Sequence, residues 1–391
     1  MSRLLIDVGS TYFKVSADGD ISHHFRNFDK DIYTDLTQKC GDILEKYQKD
    51  DIQICSSANG GLTTLIIGLT ESFSLKFASN IAYNSGINII NTVLYSKIAE
   101  YPVPSDVIDV VIIVGGIDNI ENPYDEKLIS YLEQVNYQNI VYVGSDGSHE
   151  FLKSKLENIV ILDNIINNKL HMQEDELKEY LTNLYQQDIM GKEDIKQLYT
   201  LTDNQIYSTP YIVNRSLPFI NTKLEVVDPY IVIDIGGATT DIHYSKDLVD
   251  DNIITENEYD RLVFKKLGVY KSRDSLVFSA KNNEFVYELL AHLNTTENML
   301  DEKGEGSTVL LMQLSIFLVL YKVSHMHNKY LNIHLNTLNS IVLTGGITKV
   351  LSDEEIEDIV SFFYKKILNY HTHPQIVIDR DYSIWTVGME N

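Results

Sequence analysis

The sequence predicts an α/β protein with mainly parallel sheets. Short runs of β-forming residues alternate with segments whose apolar residues have helical spacing, which favours strand–helix–strand units. Several runs, above all residues 107–114, are apolar at nearly every position, as is typical of parallel strands covered on both faces. In addition, the pattern of residues 4–11 returns at 231–238, which indicates a duplicated unit.

The individual elements follow from these periodicities in chain order. Strands are predicted at 4–7, 13–17, 51–56, 62–68, 87–94, 107–114, 139–143, 159–163, 230–235, 340–343 and 374–379. Helices are predicted at 32–47, 124–135, 149–156, 173–199, 309–325 and 354–368. Residues 86–165 then form a small Rossmann-like βαβα unit. The acidic helix at 173–199 is interpreted as a solvated face, with a partner surface as the alternative.

Composition excludes several classes of protein. The chain has 391 residues, of which 44% are apolar and 23% charged, so it is long and apolar enough for two or three folded domains. Its net charge of −24 repels phosphate backbones, so we expect no nucleic-acid partner. That charge still permits a small phosphate pocket built from backbone N–H groups and a metal ion.

The expected location is cytoplasmic, with no membrane partner. The N-terminal residues read as a strand and lack the features of a signal peptide. The most apolar run, 309–323, is too short for a membrane span and contains Gln313, Ser315 and Lys322. Two cysteines, Cys40 and Cys55, cannot build a disulfide framework or a cysteine-rich metal site.

The repeated pattern is the most informative feature. Residues 4–11 read LLIDVGST and residues 231–238 read IVIDIGGA, so Asp7 corresponds to Asp234 and Gly9 to Gly236, 227 positions later. Each copy is predicted to be a β-hairpin whose glycine-rich turn presents backbone N–H groups to phosphate oxygens. The aspartate at each strand end suits Mg²⁺ bound through water, because Mg²⁺ keeps much of its hydration shell. Two such turns facing each other would clamp a polyphosphate.

Further residues around these turns are candidates for the same site. Lys14 is long enough to reach a phosphate, although an exposed, solvated lysine is an equal alternative. Asp241 is either a second acid near the metal or a structural cap. A third run, IVLTGG at 341–346, ends in Gly345 and Gly346, which permit close approach of a flat ring such as a nucleotide base. Hydroxyl or N–H donors to phosphate are predicted at Ser10, Thr11, Gly237, Ala238, Thr239 and Thr240.

The order of the three motifs resembles the phosphate-1, phosphate-2 and adenosine motifs of the actin/Hsp70/sugar-kinase ATPase superfamily. The motifs are Asp-x-Gly-Ser-Thr at 7–11, Asp-x-Gly-Gly-x-Thr-Thr-Asp at 234–241 and Thr-Gly-Gly at 344–346. The resemblance implies a two-lobed actin/Hsp70-like ATPase of duplicated ribonuclease-H-like domains with an inserted Rossmann-like subdomain. On this reading the first lobe begins with 1–85. The inserted α/β subdomain and the acidic helical segment fill 86–225. The second lobe is 226–391, with its C-terminal helix returning to the first lobe.

Longer segments look like the GlmL/MutL proteins, which are encoded beside the cobalamin-dependent glutamate mutase and are unrelated to the mismatch-repair protein. These segments are CSSANGGLTTLIIGLT at 55–70, VVIIVGGIDN at 110–119, NIVYVGS at 139–145 and VIDIGGATTDIH at 232–243. The resemblance implies an ATPase that uses ATP/ADP and Mg²⁺, with Asp7, Asp234 and Asp241 as the catalytic candidates. It also implies a chaperone or reactivase acting on a coenzyme-B12-dependent mutase. The resemblance leaves open whether the protein forms a homodimer.

Three other functions remain as alternatives. A small-molecule kinase would use the same phosphate clamp with an acceptor pocket, and an actin-like protein would form filaments. An iron–sulfur activator of radical dehydratases needs two cluster cysteines per subunit, a pattern that Cys40 and Cys55 do not match. The sequence identifies neither the client enzyme nor a general base.

Other suggestive residues are interpreted as structural. The turn at 55–61 contains Cys55 without a neighbouring base, and Gly115-Gly116 is favoured as a turn over a second ligand site. The pairs His325/His327 and His371/His373 lack companions at ligand spacing and are interpreted as surface or capping residues.

Overall fold

The computed structural model describes residues 3–57, 62–85, 87–169, 172–191, 196–245, 248, 259–264, 267–325 and 333–391. The chain divides into two compact units. Unit 1 consists of Met1–Asn27, Ile212–Asp250 and Tyr259–Asn391, and unit 2 of Phe28–Tyr211 and Asp251–Glu258. The predicted turn residues 58–61 and His327 lie outside the described residues.

Unit 1 opens with an antiparallel meander. Strand β1 (Leu4–Val8) pairs with β2 (Tyr12–Ala17), and β2 pairs with β3 (Asp20–Phe25). Gly19, at a φ of +98°, lies in the tight connection between β2 and β3, where glycine adopts this conformation without steric cost. The sequence indicated β1 and β2 but missed β3, because its residues DISHHF have no alternating apolar pattern.

The second sheet of unit 1 repeats this arrangement and extends it. Strands β11 (Tyr230–Ile235), β12 (Thr240–Ser245) and β13 (Tyr259–Phe264) pair antiparallel. On the other side of β11 lie β14 (Ser340–Gly345) and β15 (Gln375–Ile378), both parallel to it. The order is β13-β12-β11-β14-β15. The hydrogen-bonded register of β1 with β2 recurs in β11 with β12, so the repeat seen in the sequence is a repeat of structure.

Helices cover the core of unit 1. They are Arg273–Lys281, Glu284–His292, Glu305–Ser324, Asp353–Lys366 and Ser383–Glu390, here α7 to α11. Helix α10 (Asp353–Lys366) begins with a capping box, in which Ser352 and Glu355 satisfy each other's backbone N–H groups. The sequence missed α7 and α8, because the stretch 247–308 is mixed and polar.

Helix α9 (Glu305–Ser324) is the central helix of this core. It is the one described helix long and apolar enough, by length and composition, to cross a membrane, but 67% of its most apolar window is buried inside the protein. Leu311, Leu314 and Phe317 are fully buried against the second sheet and α10. Burial on this scale is expected of a core helix.

Unit 2 contains a five-stranded parallel sheet. Its order is β6-β5-β7-β8-β9, formed by Thr63–Gly68 (β5), Asn88–Leu94 (β6), Ile108–Val114 (β7), Tyr137–Tyr142 (β8) and Val160–Ile161 (β9). Its helices are Ile32–Leu44 (α1), Lys76–Asn84 (α2), Glu126–Leu132 (α3), His149–Lys155 (α4) and Asp175–Gly191 (α5). Strands Ile52–Ser56 (β4) and Tyr207–Ser208 (β10) are parallel to each other. Helix α6 (Thr209–Ser216) follows β10 and continues into the part of the chain assigned to unit 1.

Two details of unit 2 differ from the sequence analysis. The parallel sheet includes β5 between β6 and β7, so its strands start at residue 63 and not at 86. The acidic helix is shorter than 173–199 and ends at Gly191. The α/β class is confirmed, and the division into lobes stays a prediction.

Candidate functional site

The two repeated hairpins of unit 1 have the same turn. In the first, the Gly9 N–H donates to the Tyr12 carbonyl at 2.9 Å, and in the second the Gly236 N–H donates to the Thr239 carbonyl at 2.9 Å. A Cβ atom on Gly9 would lie 2.7 Å from the Tyr12 oxygen, and one on Gly236 would lie 3.1 Å from the Thr239 oxygen. The sequence therefore uses glycine at both positions because the chain closes tightly on itself there.

The two turns lie side by side. A Cβ atom on Gly237 would be 2.5 Å from the Thr11 hydroxyl oxygen, closer than real Cβ atoms come to such an atom. A side chain at 237 would require the Thr11 hydroxyl or the turn itself to shift. The structure thus brings together two motifs separated by more than two hundred residues, as the sequence predicted.

Each turn is anchored through its carbonyl groups. The Arg26 guanidinium donates to the Gly9 carbonyl at 3.2 Å and to the Ser10 carbonyl at 3.5 Å, and the Arg26 N–H donates to the Thr11 carbonyl at 2.9 Å. In the second turn the carbonyl groups are held by the segment 269–272. Its donors are the Val269 N–H to Gly236 (3.1 Å), the Tyr270 N–H to Gly237 (2.9 Å) and the Ser272 hydroxyl to Ala238 (2.6 Å).

Unlike the carbonyl groups, several backbone N–H groups of the two turns have no hydrogen-bond partner among the described residues. Among the described residues, no hydrogen bond is donated by the backbone N–H of Ser10, Thr11, Gly237 or Ala238. These residues are half-buried, so their N–H groups need partners from solvent or from a ligand. Two adjacent turns with fixed carbonyl groups and available N–H groups are suited to bind an anion.

A charged cluster lies at the strand ends beside the turns. Lys14 pairs with Asp7 across the first hairpin, with Nζ and Oδ2 2.9 Å apart, and Asp7 is almost completely buried. Burial acts to lower the pKa of the Lys14 ammonium, but the carboxylates of Asp7 and Asp234 outweigh it and hold that pKa above its ordinary value. Lys14 is therefore an ammonium ion inside the site rather than a solvated surface lysine.

For Asp234, burial outweighs the neighbouring positive charges in setting the pKa. Burial raises its pKa to about 6, with Asp241 and Asp7 adding to the rise, while Lys14 and Arg261 act against it. A carboxylate in this setting has too little nearby positive charge, so a bound cation would stabilise its charged form. The carboxyl oxygens of Asp7 and Asp234 also match the hard oxygen ligands that Mg²⁺ takes, directly or through water.

Asp241 is engaged by another residue. Its Oδ1 accepts two hydrogen bonds from Arg261, from Nε at 3.1 Å and from Nη2 at 2.9 Å, and its Oδ2 accepts from the Thr239 hydroxyl at 3.1 Å. Asp241 and Arg261 are both buried. Of the two roles left open for Asp241, this geometry favours the structural one.

Thr240 also differs from its expected role. Its side chain is completely buried, and its hydroxyl donates to the Leu267 carbonyl at 2.9 Å. The strand alternation directs this side chain into the sheet, so its hydroxyl is not available to a phosphate. The predicted phosphate donors with accessible groups are therefore Ser10, Thr11, Gly237 and Ala238.

Gly345 lies next to Asp234. It pairs with Ile235 at the ends of β14 and β11, and at a φ of +94° a Cβ atom there would be 2.8 Å from the Asp234 Oδ1. A side chain at 345 would displace this carboxylate. A Cβ atom on Gly346 would meet no atom within 4 Å, so there is open space beside it.

The remaining candidates have structural surroundings. Cys55 is buried, with the Thr209 hydroxyl 3.8 Å from its sulfur. Gly115 and Gly116 both have positive φ, and a Cβ atom on Gly115 would lie 2.6 Å from the Leu69 side chain. His373 contacts the carbonyl of Pro374 through Nδ1, at 2.8 Å. Within the described ranges, no group of three or more histidine, cysteine or acidic side chains is arranged to hold a metal ion.

Sequence reasoning missed Arg26 and Arg261, which anchor the first turn and neutralise Asp241. Neither belongs to a motif. Arg26 directly follows β3, and Arg261 lies in β13, the third strand of the second hairpin's meander.

Comparison with known proteins identifies the family. Residues 3–310 match the sequence profile described as MutL protein, which is well over half of the chain. The chain belongs to the MutL protein family. The resemblance found in the sequence is thereby confirmed. The duplicated hairpins agree with the first two of the three motifs on which the actin-like ATPase resemblance was based.

One curated relative is similar over part of its length. Protein MutL of Clostridium tetanomorphum is 23% identical, and the alignment covers 61% of this chain and 57% of that protein. The match to this MutL relative therefore spans little more than half of the relative's own length.

Solved structures show weaker likenesses to this MutL-family chain. The activator of the 2-hydroxyisocaproyl-CoA dehydratase from Clostridium difficile with bound ADPNP is 12% identical, with 99% of this chain and 92% of that chain covered and a TM-score of 0.32. A glycerol dehydratase reactivase is 8% identical, with 99% and 100% covered and a TM-score of 0.34. At TM-scores this low, neither likeness supports an argument about this chain.

Proposed function

We propose that this MutL-family protein binds ATP and ADP with Mg²⁺ at the two adjoining turns and hydrolyses ATP. The observation that supports the proposal most directly is the close approach of Gly237 in the second turn to the Thr11 hydroxyl in the first. Asp7, Lys14 and Asp234 supply the charges that a magnesium-bound polyphosphate needs.

The chain's own residues would act mainly by positioning. The N–H groups of Ser10, Thr11, Gly237 and Ala238 would hold phosphate oxygens, and Lys14 would offset the charge that develops on the transferred phosphoryl group. Asp7 and Asp234 would hold Mg²⁺ through its water ligands. When bound, the metal neutralises phosphate charge. Gly345 and Gly346 leave space in which a nucleotide base would fit.

The client is proposed from the family. This chain resembles the GlmL/MutL proteins, which are encoded beside the cobalamin-dependent glutamate mutase. Its partner would therefore be a coenzyme-B12-dependent mutase in the cytoplasm. Nucleotide-driven changes in conformation would then release damaged cofactor from that enzyme. No small acceptor would be phosphorylated in this reaction.

Phosphate release from Mg-ATP by the purified protein tests the proposal. We expect release without any acceptor, and its loss in Asp234→Ala. Asp358→Asn is the matched control, because Asp358 is a surface acid of the same unit that pairs with His292. Tight Mg-ATP binding without release, followed by transfer to an added sugar or acid, would instead indicate a kinase. Absence of nucleotide binding would overturn the proposal.

A further inference from the structure

A buried tyrosine in unit 1 contacts the charged cluster from a distant part of the sequence. Tyr382 lies in the connection between β15 and α11 and is only 2% exposed. The Lys14 ammonium lies 4.9 Å from the centre of its ring, and the Lys349 ammonium lies 5.3 Å from it. The His23 ring packs edge-on against it at 4.8 Å.

These contacts act through the aromatic ring. Burial raises the pKa of Tyr382 to about 12, so the side chain is a neutral phenol at physiological pH. Burial and the Lys349 charge lower the pKa of His23, so this ring is neutral as well. The attraction between Lys14 and Tyr382 is therefore that of a cation above an electron-rich ring face.

The backbone of Tyr382 is held in a costly conformation. Its φ of +54° and ψ of +41° are left-handed, which a bulky residue adopts only when its surroundings require it. On the C-terminal side, Asp379 fixes the start of α11 by accepting from the Ser383 N–H at 2.7 Å and the Ile384 N–H at 3.2 Å. Asp379 is itself fixed by the Thr344 hydroxyl at 3.0 Å.

The other side of the loop is also held. The Arg380 guanidinium donates to the Leu351 carbonyl at 2.7 Å and to the Thr348 carbonyl and the Asp353 carboxylate. Tyr382 is thus fixed by residues on both sides of it. A fixed ring can restrict the flexible side chain of Lys14. The side-chain entropy is then lost on folding and does not have to be lost again when a ligand binds.

We propose that Tyr382 is a positioning residue that holds the Lys14 ammonium against Asp7 at the mouth of the two turns. The inference rests on the proposed function for its consequence, because a fixed Lys14 is what a bound polyphosphate would contact. The β15–α11 connection would then be part of the nucleotide site, although it carries none of the three sequence motifs.

The first test needs no nucleotide. Brief acylation of the protein with acetic anhydride, followed by mass spectrometry, measures how reactive each lysine is. We expect Lys14 to react roughly three- to thirtyfold faster in Tyr382→Leu, which corresponds to the range of cation–ring attraction, while Tyr382→Phe behaves as the wild type. Lys14 reactivity within twofold of wild type in Tyr382→Leu would overturn the proposal.

Controls separate a loss of position from a loss of folding. Lys281, which pairs with Asp301 in the same unit, must keep its reactivity in every variant. Phe363→Leu removes a fully buried ring of unit 1 outside this cluster and should leave Lys14 unchanged. Tyr382→Asn tolerates positive φ, so it removes the ring with less disturbance of the loop if the leucine variant fails to fold.

A second test connects the position of Lys14 to nucleotide binding. Tyr382→Leu should weaken Mg-ADP binding in the wild-type background but add little in Lys14→Met, because the two changes act through one ammonium group. Additive effects would mean that Tyr382 does not act through Lys14. If the wild type binds no nucleotide, the proposed function fails, while the acylation result still decides the role of Tyr382.

Discussion

The two hairpins of unit 1 have the same backbone and different charges. Positions 7 and 14 pair across the first hairpin, and the equivalent positions 234 and 241 pair across the second. The first pair is Asp7 with Lys14, an ion pair, whereas the second is Asp234 with Asp241, two acids. In the second hairpin Arg261, on the third strand, forms an ion pair with Asp241.

This difference assigns unequal roles to the two halves. Asp7 already has a cation at 2.9 Å, whereas burial holds the pKa of Asp234 above its ordinary value despite the opposing charges of Lys14 and Arg261. A bound metal ion would therefore interact more favourably with the carboxylate of Asp234 than with that of Asp7. The two hairpins share the turn but differ at the position of Lys14 and Asp241, so one is balanced in charge and the other is poor in positive charge.

The largest expected effect follows from removing the cation of the second hairpin. Arg261→Met leaves Asp241 buried with its main partner gone, so we expect a loss of about 3–5 kcal/mol in the free energy of unfolding. Urea denaturation measures it. The double variant Arg261→Met with Asp241→Asn should recover much of this loss, and a double variant as unstable as the single one would argue against the pairing.

The contact between the turns is tested by Gly237→Ala. Its new Cβ atom would meet the Thr11 hydroxyl oxygen at 2.5 Å, so the Thr11 side chain or the turn must shift, and we expect a cost of about 1–3 kcal/mol. We expect Mg-ADP affinity to fall by roughly five- to 150-fold in calorimetry, which is that cost expressed as a binding ratio. Gly41→Ala, in helix α1 of unit 2, is the control, because a Cβ atom there meets nothing within 4 Å and the position is not part of the proposed site. An unchanged affinity in Gly237→Ala would remove the two-turn site.

The unequal charges predict opposite effects of two similar substitutions on stability. Asp234→Asn should raise the free energy of unfolding by about 2 kcal/mol above pH 7, because it removes a carboxylate that folding makes harder to ionise. Asp7→Asn should lower it, because Lys14 then loses its partner. Chemical denaturation of both variants at pH 8 measures the contrast, and equal effects would contradict it.

The pH dependence of Asp234→Asn has a defined sign. The folded protein binds a proton at Asp234 up to about pH 6, while the unfolded chain releases it near the ordinary value of 3.8. The wild type therefore loses stability at this group as pH rises between those values. The gain in Asp234→Asn should accordingly be absent at pH 3.5 and complete above pH 7. A gain that is the same at both pH values would exclude Asp234 as its source.

The smallest effect concerns binding. Mg-ADP should bind about tenfold more weakly at pH 5 than at pH 8. At pH 5 most Asp234 is protonated, and the neutral acid does not attract the metal ion as the carboxylate does. The comparison is made by calorimetry, with Asp234→Asn as the control in which this pH dependence disappears. A wild-type affinity independent of pH would contradict the assignment.

The sequence predicted the part of the site that is formed by residues close together in the chain. Asp7, Gly9, Asp234, Gly236 and Gly237 belong to short patterns in which strand, turn and residue type depend on neighbours in the chain. Repetition at a fixed offset then made the pairing of the two turns predictable.

The rest of the site depends on contacts between distant residues. Arg26, Arg261 and Tyr382 reach the site from other strands and from the C-terminal loop, with no spacing that marks them. Likewise, β3 and α7 lack a strong apolar period, so packing and not propensity decides them. The burial of Thr240 follows from strand alternation, which the sequence analysis did not apply to the second turn.

The central claim is that the two hairpins form one polyphosphate site and that Asp234 provides its place for the metal. Titration of the wild type and of Asp234→Asn with ADP at pH 8, each with and without Mg²⁺, tests it most directly. The account predicts that Mg²⁺ strengthens ADP binding to the wild type and not to the variant, while metal-free ADP binds both alike. Equal strengthening by Mg²⁺ in the two proteins would contradict it.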